Sequence, residues 1–461
     1  MSGCESAPRC EVAKTMQFPR TLTKRQWIAA IFIAAAAVRL LLAYLIYPHH
    51  VYRGEAESIG MSLALHGEFA GCYAVPTGPT AHCGPFYTGL IAIVYYLLGT
   101  GFAAEMTRIG LLILVNSVIC AAQPVMAAAV GLPLWCGIGS GLASALIPMH
   151  RTGEMFHAWD EPYAALGLML ALTLLARWTA LCKQSIRVAA AYGVLWGVLL
   201  HIAPGMLLVF AGLSAYSILT QRRNGWTESR RWLVVWAVAG LVITPWTLRN
   251  RIQLGGWIFM RSNFGIELQM ANNDRSGPAT DDNRKAGLYR QTHPSINVQE
   301  AERVRSMGEI AYNRERLARA TTWIKTHSLR FAELTVARVL IFWLGWWGNP
   351  ESAWIFALTT ALAAVGGWLM WRDGHRHTLA MFGIVWLCYP LTFYLVQHLP
   401  RYRMSIWWTV VLAAAYGAGR LAGKPAEAES RDSAASRPLV LSGRQKMAQQ
   451  SRPSPPSHSG R

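Results

Sequence analysis

The chain has 461 residues, 53% of them hydrophobic and only 15% charged, where a soluble domain carries roughly 25% charged residues. Its formal net charge of +19 does not mark a nucleic-acid partner, because the excess lies in the two tails and in short loops such as TQRRNGWTESRR (220–231), with no basic face on a soluble module to track phosphates. Composition therefore excludes a soluble enzyme and indicates an all-α polytopic membrane protein.

In chain order, residues 1–25 carry Arg9, Lys14, Arg20, Lys24 and Arg25, so the excess of positive charge predicts a cytoplasmic N-terminal tail. The first apolar run, WIAAIFIAAAAVRLLLAYLIY (27–47), is too long for a cleavable signal peptide and lacks a small-residue cleavage pattern behind it. It contains Arg39, at a depth where an ionisable side chain is expected to face an interior partner or a polar cavity. An outer loop over 48–84 follows, with Arg53 its only Lys or Arg. Inside that loop, SIGMSLALHG predicts a short amphipathic helix ended by Gly67. Cys72 and Cys83 share the loop, where an oxidising compartment permits a disulfide; two independent small residues are the other reading.

Further apolar runs cover about 85–99, 108–148, 163–178, 188–219, 232–246, 332–347, 353–370, 378–396 and 406–419. At about 20 residues per crossing they predict about 10–12 transmembrane helices. Charged loops alternate sides only if one short segment is re-entrant or interfacial, and 85–99 and 332–347 are the candidates. The runs form an N-terminal membrane block (26–250) and a C-terminal one (331–420). Between them, the polar stretch 251–330 is too long for an ordinary interhelical connection and is read as lying outside. Asn297 and Glu300 have the spacing of a capping box. Val304, Met307, Ile310, Leu317 and Ala320 then give an amphipathic surface helix over 298–324, whereas 266–291 reads as a flexible polar loop. Residues 421–461 are rich in Ser, Pro, Gln and Arg and read as a disordered tail.

The polar residues that interrupt this pattern are the candidates for chemistry. Glu55 and Glu57 stand just outside the first span, where a low-dielectric surface should raise a carboxylate's pKa and suit it to take a proton from a hydroxyl. An ordinary charged loop mouth is the competing explanation. His82, where the chain returns to the membrane, suits a metal or a phosphate, or simply caps the loop. Arg249, Arg251 and Arg261 cluster where a helix leaves the membrane, and Arg403 lies at a later membrane edge beside His398 and Arg401. Arginine is suited to bidentate phosphate contact, with snorkelling as the alternative. Glu154, His157 and Glu161 share a helical face that would suit a metal, with Asp160 beside them, or they form one more charged loop. There is no P-loop, no dinucleotide fingerprint and no G-x-S-x-G, so an activated donor need not be a soluble nucleotide.

GEAESIGMSLALHGEF with PTGPTAHCGPFYTGLIAIVYYLLG, then TPWTLRNRIQLGGWIFMRSNFGIELQMANN with HPSINVQEAERVRSMGEIAYNRERLARATTWI, and finally LPRYRMSIWW, together resemble the polytopic glycosyltransferases of GT-C architecture. The likeness is to the bacterial family 39 type, whose relatives are protein O-mannosyltransferases and lipid A aminoarabinose transferases. The resemblance covers roughly residues 30–415 and implies a GT-C bundle in the bacterial inner membrane, with its active site facing the periplasm. It implies transfer of a hexose or pentose from a polyprenyl-phosphate carrier to an acceptor hydroxyl, with inversion. The family's first-loop aspartate falls by position on Glu55, with Glu57 as second choice. Arg249, Arg251, Arg261, Arg403 and His82 would then bind the donor phosphate. Relatives can hold a divalent metal near that phosphate; no ligand set here matches well enough to assign one. The rival class is a multi-span transporter or flippase of lipid-linked sugars, for which HIAPG (201–205) would be a broken helix, although no matching second break is visible.

Overall fold

The computed structural model describes residues 22–46, 54–148, 160–178, 185–221, 225–346, 348 and 350–426. The tails before residue 22 and after 426 lie outside the described residues, as do Glu154 and His157. Among the described residues the architecture is helical, with two isolated β-bridges and no strand.

The first block comprises α1 (Lys24–Ile46), α2 (Glu55–His66), α3 (Pro85–Leu98), α4 (Phe102–Ala129), α5 (Leu134–Leu146), α6 (Glu161–Ala176), α7 (Ile186–Ile202), α8 (Met206–Thr220) and α9 (Gly225–Leu254). Short helices build the stretch that follows: α10 (Phe264–Ala271), α11 (Thr280–Lys285), α12 (Leu288–Thr292), α13 (Val298–Met307) and α14 (Glu309–Thr326). The second block holds α15 (Ser328–Leu344), α16 (Pro350–Arg372), α17 (Arg376–Cys388), α18 (Leu391–Leu395) and α19 (Met404–Leu421). Five helical stretches are long and apolar enough to cross a membrane: α1, α4, Trp226–Leu254, Ala353–Arg372 and Arg376–Leu395. α3 and α5–α8 are apolar but shorter, at 10–17 residues, so the chain is a multi-pass membrane protein in which several spans are too short to cross unaided.

Lipid gives helices no hydrophobic reason to associate, so small residues set how closely they pack. A Cβ at Gly417 in α19 would lie 2.6 Å from the Leu362 carbonyl oxygen of α16, and Gly366 stands in the same relation to the Ala413 carbonyl. Gly193 and Gly197 of α7 meet α9 in this way, with Val235 O and Val242 Cβ each 2.6 Å from the added carbon. Arg39, the charge in the first apolar run, has the interior partners its depth demands. It donates to the carbonyls of Ala35 (3.3 Å), Ser144 (3.2 Å) and Ala145 (3.5 Å), covering the open C-terminal end of α5.

Of the two short segments singled out for unusual topology, α3 is tied by polar groups near both ends: Tyr87 donates to Glu57, which pairs with Arg108 of α4, and Tyr95 donates to Glu105 of α4. In α15, Arg338 donates to Asn272 Oδ1 (3.1 Å), the Leu395 carbonyl (3.1 Å) and the Ala271 carbonyl. HIAPG interrupts its apolar run as expected: α7 ends at Ile202 and α8 begins at Met206.

The stretch expected as a flexible loop over 266–291 is instead pinned. Arg275 donates to Gln291 (2.7 Å) and the Ala286 carbonyl (2.6 Å), and Asn283 donates to Gln397 (2.8 Å). Thr280 N and His398 N exchange main-chain bonds with His398 O (3.0 Å) and Pro278 O (2.9 Å). The helix expected over 298–324 is two helices, broken at Gly308, whose φ of 82° favours glycine. Asn297 caps α13 by accepting from Glu300 N at 2.8 Å. The Glu300 carboxylate turns to Arg303, Tyr312 and Arg316. A second apolar cluster under these helices joins Ala56, Ile59, Tyr73, Tyr87, Ile266, Ala301, Val304 and Tyr312, so α2, the outer loop and the 251–330 stretch form one cap over the end of the bundle.

Gly417→Ala should lower the melting temperature of the detergent-solubilised protein through roughly 1–3 kcal/mol of overpacking. Gly240→Ala, where an added Cβ meets no atom within 4 Å, should leave the melting temperature unchanged or raise it slightly.

Candidate functional site

The two carboxylates that open α2 have opposite fates. Gly54 precedes the helix in extended backbone, and its N–H donates to Glu57 Oε2 at 3.0 Å. Glu57 also accepts from Tyr87 (3.4 Å) and pairs with Arg108 (3.8 Å), with no exposure to solvent. Burial raises its pKa against the pull of Arg108. Glu57 is a capping and ion-pairing residue that no acceptor can reach, which corrects its place as the second catalytic choice. Glu55 stays partly open, and its Oε1 lies 4.0 Å from His293 Nδ1. His82 completes a trio whose ligand atoms all lie within 4.8 Å of one another.

His82 is placed by its loop. The buried Glu309 carboxylate, in the first turn of α14, accepts from Thr80 Oγ1 (2.5 Å), Ala81 N (2.9 Å), Tyr73 OH (3.4 Å) and Ser262 Oγ. Arg249 clasps the same loop from outside, donating to the carbonyls of Thr80 (2.7 Å) and Phe69 (3.2 Å) while packing over the Phe69 and Trp246 rings. Tyr73 OH contacts His82 Nδ1 at 3.2 Å. His293 ends the α12 segment and stacks on Tyr289 at 5.4 Å between centroids. Its Nδ1 accepts from Ser295 N at 3.2 Å and lies 2.6 Å from Ser295 Oγ.

The predicted site residues divide accordingly. Glu55 and His82 come together. Arg261 stands against the loop behind His82, where a Cβ on Gly84 would sit 3.3 Å from its Nε and Nη2, and it forms a close ion pair with Asp160. Arg249 is a loop clasp, and Arg251 is exposed and donates to the Gly255 carbonyl at 2.6 Å, closing the end of α9. In the structure both are engaged by main-chain carbonyls. Cys72 and Cys83 are buried free thiols, correcting the disulfide expectation; Cys72 Sγ instead donates to Thr80 Oγ1 at 3.5 Å. Arg403 is buried and bears on three aromatic faces, Phe356 (4.3 Å), Trp407 (4.7 Å) and Phe342 (5.5 Å). Its Nε and Nη2 have no hydrogen-bond partner. A desolvated cation held only by ring faces is poised for an anion. Met404 and Trp407 beside it line an apolar groove of about 1320 Å³ between α1, α4, α5, α16 and α19.

His293, Ser295 and Glu267 were missed as site residues by sequence reasoning. His293 carries no ligand spacing relative to His82, and only the pairing of distant segments joins them. Burial pushes His82 down to about 4 and lowers His293, so both imidazoles are neutral at neutral pH. Burial acts to raise Glu55, yet the positive charge that His293 and His82 carry when protonated, with its own backbone and Ser295, outweighs it and holds the carboxylate below its usual range. The rise expected for Glu55 is therefore found on Glu267, pushed up to about 7 by burial and the nearby Glu55 charge. One carboxylate and two neutral imidazoles within a few ångströms form a donor set that fits a divalent cation.

No protein-family model matches the chain, and no match is found among curated proteins. Among solved structures it is similar to the oligosaccharyltransferase of Archaeoglobus fulgidus tethered to an acceptor peptide, with a TM-score of 0.52 and 14% identity. That similarity covers 86% of this chain and 50% of the other, so the chain spans half the length of that enzyme. ArnT of Cupriavidus metallidurans, bound to undecaprenyl phosphate, matches at a TM-score of 0.33 and 14% identity, over 86% of this chain and 78% of that one. At this identity the likeness is one of fold: a polytopic helical membrane bundle like that of the archaeal enzyme, in line with the all-α membrane architecture expected from the sequence.

Between its ordinary value of 4.5 and about 7, folded Glu267 holds a proton that the unfolded chain releases. Its contribution to stability is complete below that window and is lost as pH rises through it. Asp160, pushed up to about 6 mainly by burial, acts with the same sign. His82 and His293, held low, act with the opposite sign, so the Glu267 contribution is read by difference: between about pH 5 and pH 7 the melting temperature of Glu267→Gln should fall less, or rise more, with pH than that of the unsubstituted chain.

Proposed function

We propose that the chain is a membrane glycosyltransferase that moves a hexose or pentose from a polyprenyl-phosphate carrier to an acceptor hydroxyl, with inversion, at the outer face of a bacterial inner membrane. The observation that carries this reading is the partly open Glu55 carboxylate gathered with His82 and His293, in a chain whose buried Arg403 keeps two nitrogens without a hydrogen-bond partner. Glu55 has its charge stabilised and its side chain partly open. Arg403 keeps Nε and Nη2 unpartnered, and its chain neighbours Met404 and Trp407 line the groove. The GT-C fold supports the reading, since fold and site suit the same chemistry, though function rests on the site.

The carrier's tail would lie in the groove, with its phosphate drawn to Arg403. The acceptor oxygen attacks the anomeric carbon from the face opposite the phosphate, forming the new C–O bond as the bond to phosphate oxygen breaks. The hydroxyl proton passes to Glu55, and the phosphate leaves as an anion that Arg403 stabilises. Held low, Glu55 is a modest base but is always ionised, which suits a reaction whose leaving group is already good. Arg261 adds positive potential behind His82 while its own charge is balanced by Asp160. Glu55, His82 and His293 would hold a divalent cation, which would supply positive charge beside the acceptor hydroxyl, on the attacking face.

Purified protein in nanodiscs, given polyprenyl-phosphate sugars and an acceptor, should release the free carrier phosphate. Glu55→Gln should lower that rate roughly a hundredfold to ten-thousandfold while still binding the carrier. Full activity in Glu55→Gln would sink the assignment.

Arg403→Met separates a ligand site from a structural one. Removing an unpaired buried charge should leave the melting temperature unchanged or higher while weakening carrier binding at least about tenfold, the equivalent of roughly 1.4 kcal/mol. A lower melting temperature with unchanged carrier affinity would make Arg403 structural.

A further inference from the structure

The hydrogen bonds behind His82 have a direction. Tyr73 OH lies 3.2 Å from His82 Nδ1 and 3.4 Å from Glu309 Oε2, and its single proton can serve only one of them. Thr80 Oγ1 already accepts from His82 N (3.0 Å) and the Cys72 thiol (3.5 Å), so its own proton goes to Glu309 at 2.5 Å. Ser262 Oγ and Ala81 N donate to the other carboxylate oxygen. A carboxylate offers about four acceptor positions, and Tyr73 is the fourth donor within reach. A hydroxyl bonded to a carboxylate makes a charge-assisted bond, roughly twice as strong as one between neutral groups.

We infer that Tyr73 donates to Glu309 and accepts from His82 Nδ1–H, so that Tyr73 and Glu309 are positioning residues that fix the tautomer of His82. A neutral imidazole carries one N–H. With that hydrogen on Nδ1, the remaining nitrogen, Nε2, is a bare lone pair offered to the site that His82 shares with Glu55 and His293. The opposite tautomer would present an N–H and repel a cation. Metal-binding histidines are set this way by the partner of their other nitrogen; here that partner is a phenol held by a carboxylate more than 200 residues away in sequence. The inference rests on the proposed function only in taking Glu55, His82 and His293 as one site.

The test uses the full chain in nanodiscs with isotope-labelled histidine, the His82 ring signals being identified by their loss in His82→Gln. Wild-type His82 should show protonated Nδ1 and unprotonated Nε2. Tyr73→Phe, which deletes the acceptor, should move it toward the Nε2–H form. Glu309→Gln should do the same, because a side-chain amide can donate to the Tyr73 oxygen and turn its proton to His82. Co²⁺ affinity, read from the metal's visible absorption, should fall roughly ten- to a hundredfold in Tyr73→Phe. A role in packing alone would shift the melting temperature and leave the tautomer in place. Wild-type His82 protonated at Nε2, or an unchanged tautomer in Tyr73→Phe, overturns the inference. A tautomer that moves as expected in a chain that binds no Co²⁺ upholds the relay and removes only the cation from the proposed function.

Discussion

The site depends on one buried carboxylate. Glu309 draws donors from Tyr73, Thr80, Ala81 and Ser262, which belong to the first outer loop and to the start of the long stretch after α9. A carboxylate taken out of water must be satisfied by several hydrogen bonds, and each bond fixes the segment that supplies it. Its place in the first turn of α14 adds the favourable end of a helix dipole. Because Glu309 is held, Thr80 is held. Because Thr80 accepts from His82 N, the imidazole is set beside Glu55 and His293.

Buried arginines follow the same rule in different ways. Arg39 and Arg338, and the half-buried Arg249, are satisfied chiefly by main-chain carbonyls. Helix ends and irregular loops near a membrane leave such carbonyls without partners, and a long side chain with five donors can cover two or three at once. Arg261 is balanced by Asp160. Arg403 has aromatic faces in place of acceptors. That contrast makes Arg403 the natural receiver of an anion, since the other buried guanidinium groups already have oxygen partners.

Two environments therefore meet at the end of the bundle. The cap is polar, closely bonded and built around an ionised Glu55 and two neutral histidines. Below it, the groove between α1, α4, α5, α16 and α19 is largely apolar, with Arg39 and Asn116 in its wall. The pairing of Arg401 with Glu161 at 3.3 Å ties the segment just before Arg403 to the start of α6.

The helical membrane class and the Asn297 cap were legible in the chain itself, because hydropathy and capping act over a few residues. The remaining features come from contacts between distant segments. Tertiary structure divided Glu55 from Glu57, two residues apart on a helix that turns them to different surroundings, and gave Glu57 to Arg108 and the helix cap. It brought His293 to Glu55 across more than 200 positions, kept Cys72 and Cys83 as thiols, and bonded Arg249 to the carbonyls of Thr80 and Phe69. A side chain's chemistry is written in its type, but its partner, burial and protonation are set by which distant segment folds against it, and local spacing has no term for that.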